Sequence, residues 1–225
     1  DGDNKTDVAV ARLNSNGMDP DFFVINSATG TFTYPVWGNP GDVPVCADYD
    51  GDRKADIAIW RPSDGGWYIQ NSLGGVTAVT HGQNGDKPVP MDFDGDGRAN
   101  IAYFRPSSGD WVIRDQTGPG TTTINFGLPT DKLVPADYDG DGKDDIAVFR
   151  DGLWIILQSS NGQVLFIPFG TTGDIPVPGD YDADDKYDAA VYRDGVWHML
   201  RSSAGHTGIG FGSPGDIPIP KGYLP

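Results

Sequence analysis

Apolar positions in this chain come in short bursts that stop abruptly. Val8 to Arg12, Ile57 to Arg61, Ile101 to Arg105, Ile146 to Arg150 and Ala189 to Arg193 are each rich in Val, Ile, Ala or aromatics, and each ends in arginine. Gly, Pro, Asn, Asp and Ser fence these bursts, which is the pattern of strands bounded by turns. A second burst follows each one, opening at Phe22, Trp67, Trp111, Trp154 and Trp197. A third closes on Trp37-Gly38, His81-Gly82, Phe126-Gly127, Phe169-Gly170 and Phe211-Gly212. A Pro-punctuated run such as Val43-Pro44-Val45-Cys46-Ala47 precedes the arginine burst, so each unit reads as four short strands, and no stretch reads as a helix.

Between the Pro-punctuated strand and the arginine strand lies an acidic loop, clearest at Asp137-Tyr138-Asp139-Gly140-Asp141-Gly142-Lys143-Asp144-Asp145. Its copies begin at Asp48, Asp92, Asp137 and Asp180, at steps of 44, 45 and 43 residues. A period of that size is the mark of a repeat architecture. The chain starts within a fifth acidic loop and finishes on Asp216-Ile217-Pro218-Ile219-Pro220, a first strand with no unit after it. The two fragments complement each other and bring the count of every strand type to five. The expected fold is therefore all-β: a five-bladed β-propeller of four-stranded antiparallel blades, one blade closed by the N- and C-terminal segments, with residues 1–225 as a single domain. An open β-solenoid is the alternative, but its end repeats should be atypical rather than halves of an ordinary unit. Pro44, Pro90, Pro135, Pro178 and Pro220 cannot donate to a ladder, which places the first strand at the channel edge and the Phe-Gly strand outermost.

Charge sharpens the picture. The formal net charge is -16, which argues against a phosphate-backbone partner, and no nucleic acid is expected. Of 32 acidic residues, all of them aspartate, 18 fall at repeated loop positions, a placement that a merely acidic surface does not explain. The 32 glycines and 18 prolines recur at fixed places in the unit and so mark turns, not disorder. Cys46 is the single cysteine, so no internal disulfide can form. No apolar run is long enough to cross a bilayer, so no membrane insertion is expected, and no stretch reads as a signal sequence. A chain starting inside a repeat is expected to be a mature or excised domain, a monomer or part of a larger chain.

In the loop from Asp137, carboxylates stand at positions 1, 3, 5 and 9, with Gly140 and Gly142 relieving the turn. The copies are Asp48, Asp50, Asp52 and Asp56; Asp137, Asp139, Asp141 and Asp145; and Asp180, Asp182, Asp184 and Asp188. Asp92, Asp94 and Asp96 end instead on the neutral Asn100, so that copy should bind more weakly. Oxygen-only ligands in this number suit a hard cation, and a flexible loop suits Ca2+ better than Mg2+. About four structural Ca2+ sites are expected, with a weaker fifth at the joined termini formed by Asp1, Asp3 and Asp7. Turn-forming aspartates without metal are the alternative, but carboxylates this close repel one another when empty. A calcium requirement favours an extracellular setting.

The units resemble FG-GAP or VCBS-type repeats, found in integrin α-subunit propellers and in many bacterial secreted proteins. The resemblance rests on the Asp-x-Asp-x-Asp-x-x-x-Asp loop at Asp48 to Asp56 and on the Phe-Gly pairs at 126–127, 169–170 and 211–212. It implies calcium binding, a contribution from the position-7 backbone oxygen, here Lys54, Arg98, Lys143 and Lys186, and a secreted or cell-surface, bacterial protein. Trp37 and His81 depart from the Phe, no Gly-Ala-Pro follows, and five units stand against the seven of integrins.

The repeated tryptophans suit packing between blades, although an exposed ring of them would stack on sugars. The repeated arginines suit a fork to a carboxylate or to carbonyls, with a cationic ring for an anionic ligand as the alternative. Variation between equivalent loops is where specificity is sought, most conspicuously in the extension from Leu13 to Asp21. The leading expectation is a non-catalytic, calcium-stabilised recognition or adhesion module, carbohydrate-binding or protein-binding. A structural spacer in a larger secreted protein and a glycoside hydrolase are the alternatives. Hydrolysis wants two carboxylates in different environments, whereas the conspicuous ones recur identically. His81, His198 and His206 occupy unrelated unit positions.

Overall fold

In the computed structural model, residues 8–12, 21–115, 118 and 120–218 are described. They form an all-β, five-bladed β-propeller of antiparallel sheets. Each sheet follows chain order from its first strand to its last, as the proline argument requires. One sheet holds β1 (Val8–Arg12), β2 (Asp21–Ile25) and β3 (Phe32–Thr33). The next holds β4 (Val43–Pro44), β5 (Ile57–Arg61), β6 (Gly66–Gln70) and β7 (Val76–Thr80). Then come β8 (Lys87–Pro88), β9 (Ala102–Arg105), β10 (Asp110–Arg114) and β11 (Thr121–Asn125). The fourth holds β12 (Lys132–Leu133), β13 (Ile146–Arg150), β14 (Leu153–Leu157) and β15 (Val164–Pro168). The last holds β16 (Ile175–Pro176), β17 (Ala189–Arg193), β18 (Val196–Arg201) and β19 (Gly205–Gly210). The first sheet has three strands among the described residues, and closure by residues 1–7 and 219–225 lies outside them.

The chain divides into two compact units, Asp1–Asp92 with Asp96–Asn125, and Phe93–Gly95 with Phe126–Pro225. In the second unit, Val134, Ala136, Tyr138, Ala147, Phe149, Trp154 and Ile156 pack with Ala189 and Val191 of the following sheet. In the first, Val45, Ala58, Trp60, Trp67 and Ile69 form a smaller core against which Ile101 packs. Core therefore lies between sheets as well as within them, which is why both faces of the middle strands are apolar.

One device recurs. In four of the sheets the residue before the arginine pairs directly with the tryptophan of the next strand: Trp60 with Trp67, Phe104 with Trp111, Phe149 with Trp154 and Tyr192 with Trp197. The Phe149 and Trp154 rings meet edge to face at 5.3 Å, a geometry that adds about 0.5–1.5 kcal/mol to the burial itself. Trp67, Trp111 and Trp154 have no exposed surface and Trp197 is half-buried, so these rings are core rather than a sugar platform. Indole N–H groups of Trp67, Trp154 and Trp197 donate to the carbonyls of His81, Phe169 and Phe211 at 2.8, 2.9 and 3.0 Å. The glycine that follows turns the chain: Gly170 has φ +114, and a Cβ there would press on Asp174 Oδ2 and Val191 Cγ1.

Trp37 and His81, which replace the usual Phe, do the same new thing. Trp37 Nε1 donates to the Tyr68 carbonyl at 2.9 Å, and His81 Nε2 lies 3.1 Å from the Val112 carbonyl. Tyr68 and Val112 are equivalent residues of β6 and β10, so each substitution adds a polar tie to the next sheet.

Turn chemistry is equally local. Asp151-Gly152 and Asp194-Gly195 are two-residue hairpin loops with positive φ at both positions, the requirement of the tight turns that match strand twist.

Candidate metal sites

Each acidic loop is closed by a single bridge that pairs the residue before it with its ninth position: Ala47 with Asp56, Met91 with Asn100, Ala136 with Asp145 and Gly179 with Asp188. The loop is thus pinned at both ends by the sheet it interrupts. Within it, the first aspartate folds the backbone around itself. Asp137 Oδ1 accepts from Gly140 N at 2.6 Å and Oδ2 from Gly142 N at 2.8 Å; Asp48 does likewise with Gly51 and Arg53. Asp180 accepts from Ala183 and Asp185, and Asp92 from Gly97.

The ninth position is buried. Asp56, Asp145 and Asp188 accept from the amides of Tyr49, Tyr138 and Tyr181 at 2.8, 3.0 and 2.9 Å, and from those of Ser72, Ser159 and Ser202 at 2.7, 2.6 and 2.7 Å. The serines belong to the turn between third and fourth strands, so a single carboxylate joins two distant segments. Burial pushes these three carboxyls up, the charges of Asp50, Asp139 and Asp182 add to the rise, and the amides oppose it.

The third position carries the clearest sign of a cation. Asp139 Oδ2 accepts from Ser160 Oγ at 2.6 Å, and Asp182 Oδ2 from Ser203 Oγ at 2.7 Å and Ala204 N at 2.9 Å. The other oxygens, Asp139 Oδ1 and Asp182 Oδ1, are buried with no hydrogen-bond partner among the described residues. A buried carboxylate oxygen without a donor is costly, and two more carboxylates stand beside it. Ligand atoms of Asp48, Asp50 and Asp56, of Asp137, Asp139 and Asp145, and of Asp180, Asp182 and Asp188 lie within 4.8 Å of one another, as do those of Asp92, Asp94 and Asp96. All-oxygen donors with orphaned lone pairs fit Ca2+, and these four clusters are consistent with structural Ca2+ sites.

The fifth position behaves differently from its spacing. Asp52, Asp141 and Asp184 stand outside those groups of three, whereas Asp96 is inside its own. Asp141 Oδ1 accepts from Lys143 N and Ser159 Oγ, both at 2.9 Å, and Asp184 accepts from Lys186 N and Ser202 Oγ. The backbone amides of Lys54 and Arg98 likewise bond Asp52 and Asp96 at 2.8 and 2.9 Å. Asn100 is buried at the ninth position of its loop. Asp1, Asp3 and Asp7 lie outside the described residues, as does the extension from Leu13 to Pro20.

The repeated arginines are forks, not a cationic ring. Arg61, Arg105, Arg150 and Arg193 each donate Nε and Nη2 to one carboxylate, respectively Asp42, Asp86, Asp131 and Asp174, at 2.6–2.9 Å. All four aspartates are buried. A constant separation of 19 residues between acid and base is the signal from which these aspartates, and the turn they cap, are legible in sequence. The second oxygen of each also caps its own turn, taking the amides of Asn39, Gln83, Leu128 and Thr171.

Residues 48–103 and 92–148 match the FG-GAP-like repeat. No curated protein sequence matches the chain. Solved structures of similar fold include virginiamycin B lyase from Staphylococcus aureus, at TM-score 0.55 and 12% identity over 88% of this chain and 68% of that one. A catalytically inactive variant of the same lyase with quinupristin matches at TM-score 0.54 and 12% identity, over 93% of this chain and 76% of that one. A streptogramin B lyase matches at 0.53 and 11%, over 90% and 68%. At such identities the likeness is one of fold.

Proposed function

We propose that this chain of FG-GAP-like repeats is a non-catalytic recognition or adhesion module, held in shape by Ca2+, that works outside a bacterial cell and binds a glycan or a protein. One observation carries the reading: the groups that recur from blade to blade are spent on the fold itself. Loop aspartates bond their own backbone and the neighbouring turn, arginines fork onto buried aspartates, and three of the four repeated tryptophans are sealed in core. What remains for a partner is the variable surface between repeats.

The histidines support the same reading. His81 is buried, its ring 4.8 Å from that of Tyr103, and burial holds its pKa below the usual value. His198 and His206 stack on each other at 6.2 Å, with Phe169 at the edge of His206. Neither arrangement couples a nucleophile to a base. Among the described residues, no helix is long and apolar enough to cross a membrane. The extracellular setting follows from millimolar calcium being available there.

The test is the full chain with 2 mM Ca2+ (roughly the concentration of the weaker extracellular sites) on a glycan array and against extracellular proteins, beside an assay for released reducing ends. Saturable binding without turnover supports the proposal. Product release refutes it, and a clean chain with neither binding nor turnover moves the reading to a spacer.

A further inference from the structure

The acidic loops are not all independent pockets. Two contacts join the loop at 137–145 to the one at 180–188, and two join 48–56 to 92–100. The carbonyl of Asp137, first residue of its loop, accepts from Tyr187 N at 2.8 Å, and Tyr187 stands between Lys186 and Asp188 of the following loop. The Asp48 carbonyl accepts from Ala99 N at 2.7 Å in the same way, with Ala99 between Arg98 and Asn100. The position-7 side chain then lies across the position-4 glycine of the loop before: a Cβ on Gly140 would meet Lys186 Cε at 3.0 Å and Cγ at 3.1 Å. Arg98 covers Gly51, and Lys143 covers Gly95.

From this we infer that neighbouring loops bind cations cooperatively, filling of one preorganising the next. The inference rests on the calcium reading above. A cation at Asp137, Asp139 and Asp145 fixes the carboxylate of Asp137 and, through one residue of backbone, its carbonyl. That carbonyl holds the amide of Tyr187, and Tyr187 is flanked by the position-7 residue and by the buried carboxylate of Asp188. The ordering that the second loop needs is thus partly done before its ion arrives, which is a coupling of the entropic kind. Repulsion between two bound cations acts in the opposite sense, but solvent and the surrounding carboxylates screen it. Linkage makes the effect reciprocal, the same factor in each direction.

Ser160 N and Ser203 N bond Asp139 and Asp182 respectively, so their amide NMR signals report the two loops separately. The experiment titrates metal-free full-length chain with Ca2+ and follows both amides. Asp139→Asn should weaken filling at Ser203 by about five-fold or more, and Asp182→Asn should weaken filling at Ser160 by the same factor. Asp50→Asn, in a loop with no described bond to 180–188, should leave Ser203 unchanged. Lys186→Ala keeps every carboxylate and should make both curves shallower. If Asp139→Asn leaves Ser203 unmoved or tightens it, or if Lys186→Ala leaves the steepness unchanged, the coupling is wrong while the sites stand. A wild-type chain whose amides do not respond to Ca2+ overturns the calcium reading along with it.

Discussion

Replacing Arg193 by methionine tests the ion-pair forks where they are most unequal. Asp174 is 3% exposed, whereas the Arg193 side chain is 41% exposed, so the guanidinium can reach water and the carboxylate cannot. Removing the arginine strands a buried charge whose remaining donors among the described residues are Thr171 N at 2.8 Å and Thr171 Oγ1 at 3.4 Å. Breaking a fully buried pair costs about 3–5 kcal/mol. Partial solvation of the arginine and the two surviving donors reduce that to about 2–3 kcal/mol, a fall in Tm of about 5–10 °C in a domain of this size. Methionine keeps most of the aliphatic stem, so packing contributes little to the difference.

The pH dependence makes the cause identifiable. Burial is the largest influence on Asp174 and opposes its ionisation, yet the Arg193 fork and the Thr171 donors hold its carboxyl below the usual range. A lowered folded pKa means stability present above about pH 4 and lost as the pH falls through the lower folded value. In Arg193→Met burial acts without the fork, the folded pKa rises above the unfolded one, and the penalty grows as the pH climbs through it. Urea unfolding in saturating Ca2+ should show the full loss at pH 7.5, shrinking by half or more at about pH 4.5. Adding Asp174→Asn to Arg193→Met should recover about 1 kcal/mol at pH 7.5, since a neutral amide still accepts from Thr171. A loss under about 1 kcal/mol at pH 7.5, or the same loss at both pH values, would falsify the reasoning.

Three further outcomes follow from single contacts. Gly65 and Gly162 both have positive φ, +66 and +69, but a Cβ on Gly65 runs into the Gly82 carbonyl oxygen while one on Gly162 meets nothing within 4 Å. Gly65→Ala should therefore cost about 2 kcal/mol more than Gly162→Ala in urea unfolding, and equal costs would remove the clash as the explanation. Tyr138→Phe deletes the buried hydroxyl that donates to the Val134 carbonyl at 2.7 Å and should cost about 1 kcal/mol by the same measurement. Asn100→Asp gives the 92–100 loop the ninth carboxylate that its three counterparts have; calcium calorimetry should show its site tightening by about ten-fold, and no change would mean that this position is not a ligand.

Strands and blade count were legible because their causes are local. β5, β13 and β17 run as their apolar bursts do, and β9 starts one residue later than Ile101. First strands are shorter than the Pro-punctuated runs: β4 keeps Val43–Pro44 from the run 43–47, and Val45 N still bonds the Ala58 carbonyl before the bridge at Ala47. The run reads as one strand, but its ladder lapses at Val45-Cys46 before the single bridge at Ala47. Loop spacing located four acidic clusters but did not reveal that Asp141 and Asp184 turn towards Ser159 and Ser202, since those partners come from a turn 18 residues on. The arginine forks are half legible: the bases stand out by position, while the acids lie among 32 aspartates and are distinguished by their common separation from the arginines.

That hidden connectivity bears on what the acidic loops are for. A loop that only gripped an ion would need bonds to itself, yet Asp145 holds Tyr138 on one side and the Ser159 turn on the other, and Asp137 passes its carbonyl to Tyr187. The site at 137–145 is therefore a junction of first strand, second strand, distal turn and following loop. Three mutually repelling carboxylates are a poor choice for such a junction unless a cation sits among them, because the repulsion loosens every segment that the junction joins. On the function proposed above, calcium sets the stiffness of the scaffold rather than the choice of partner. A partner that tells one blade from another must read residues that differ between blades, and the junction carboxylates, Asn100 apart, are the ones that do not.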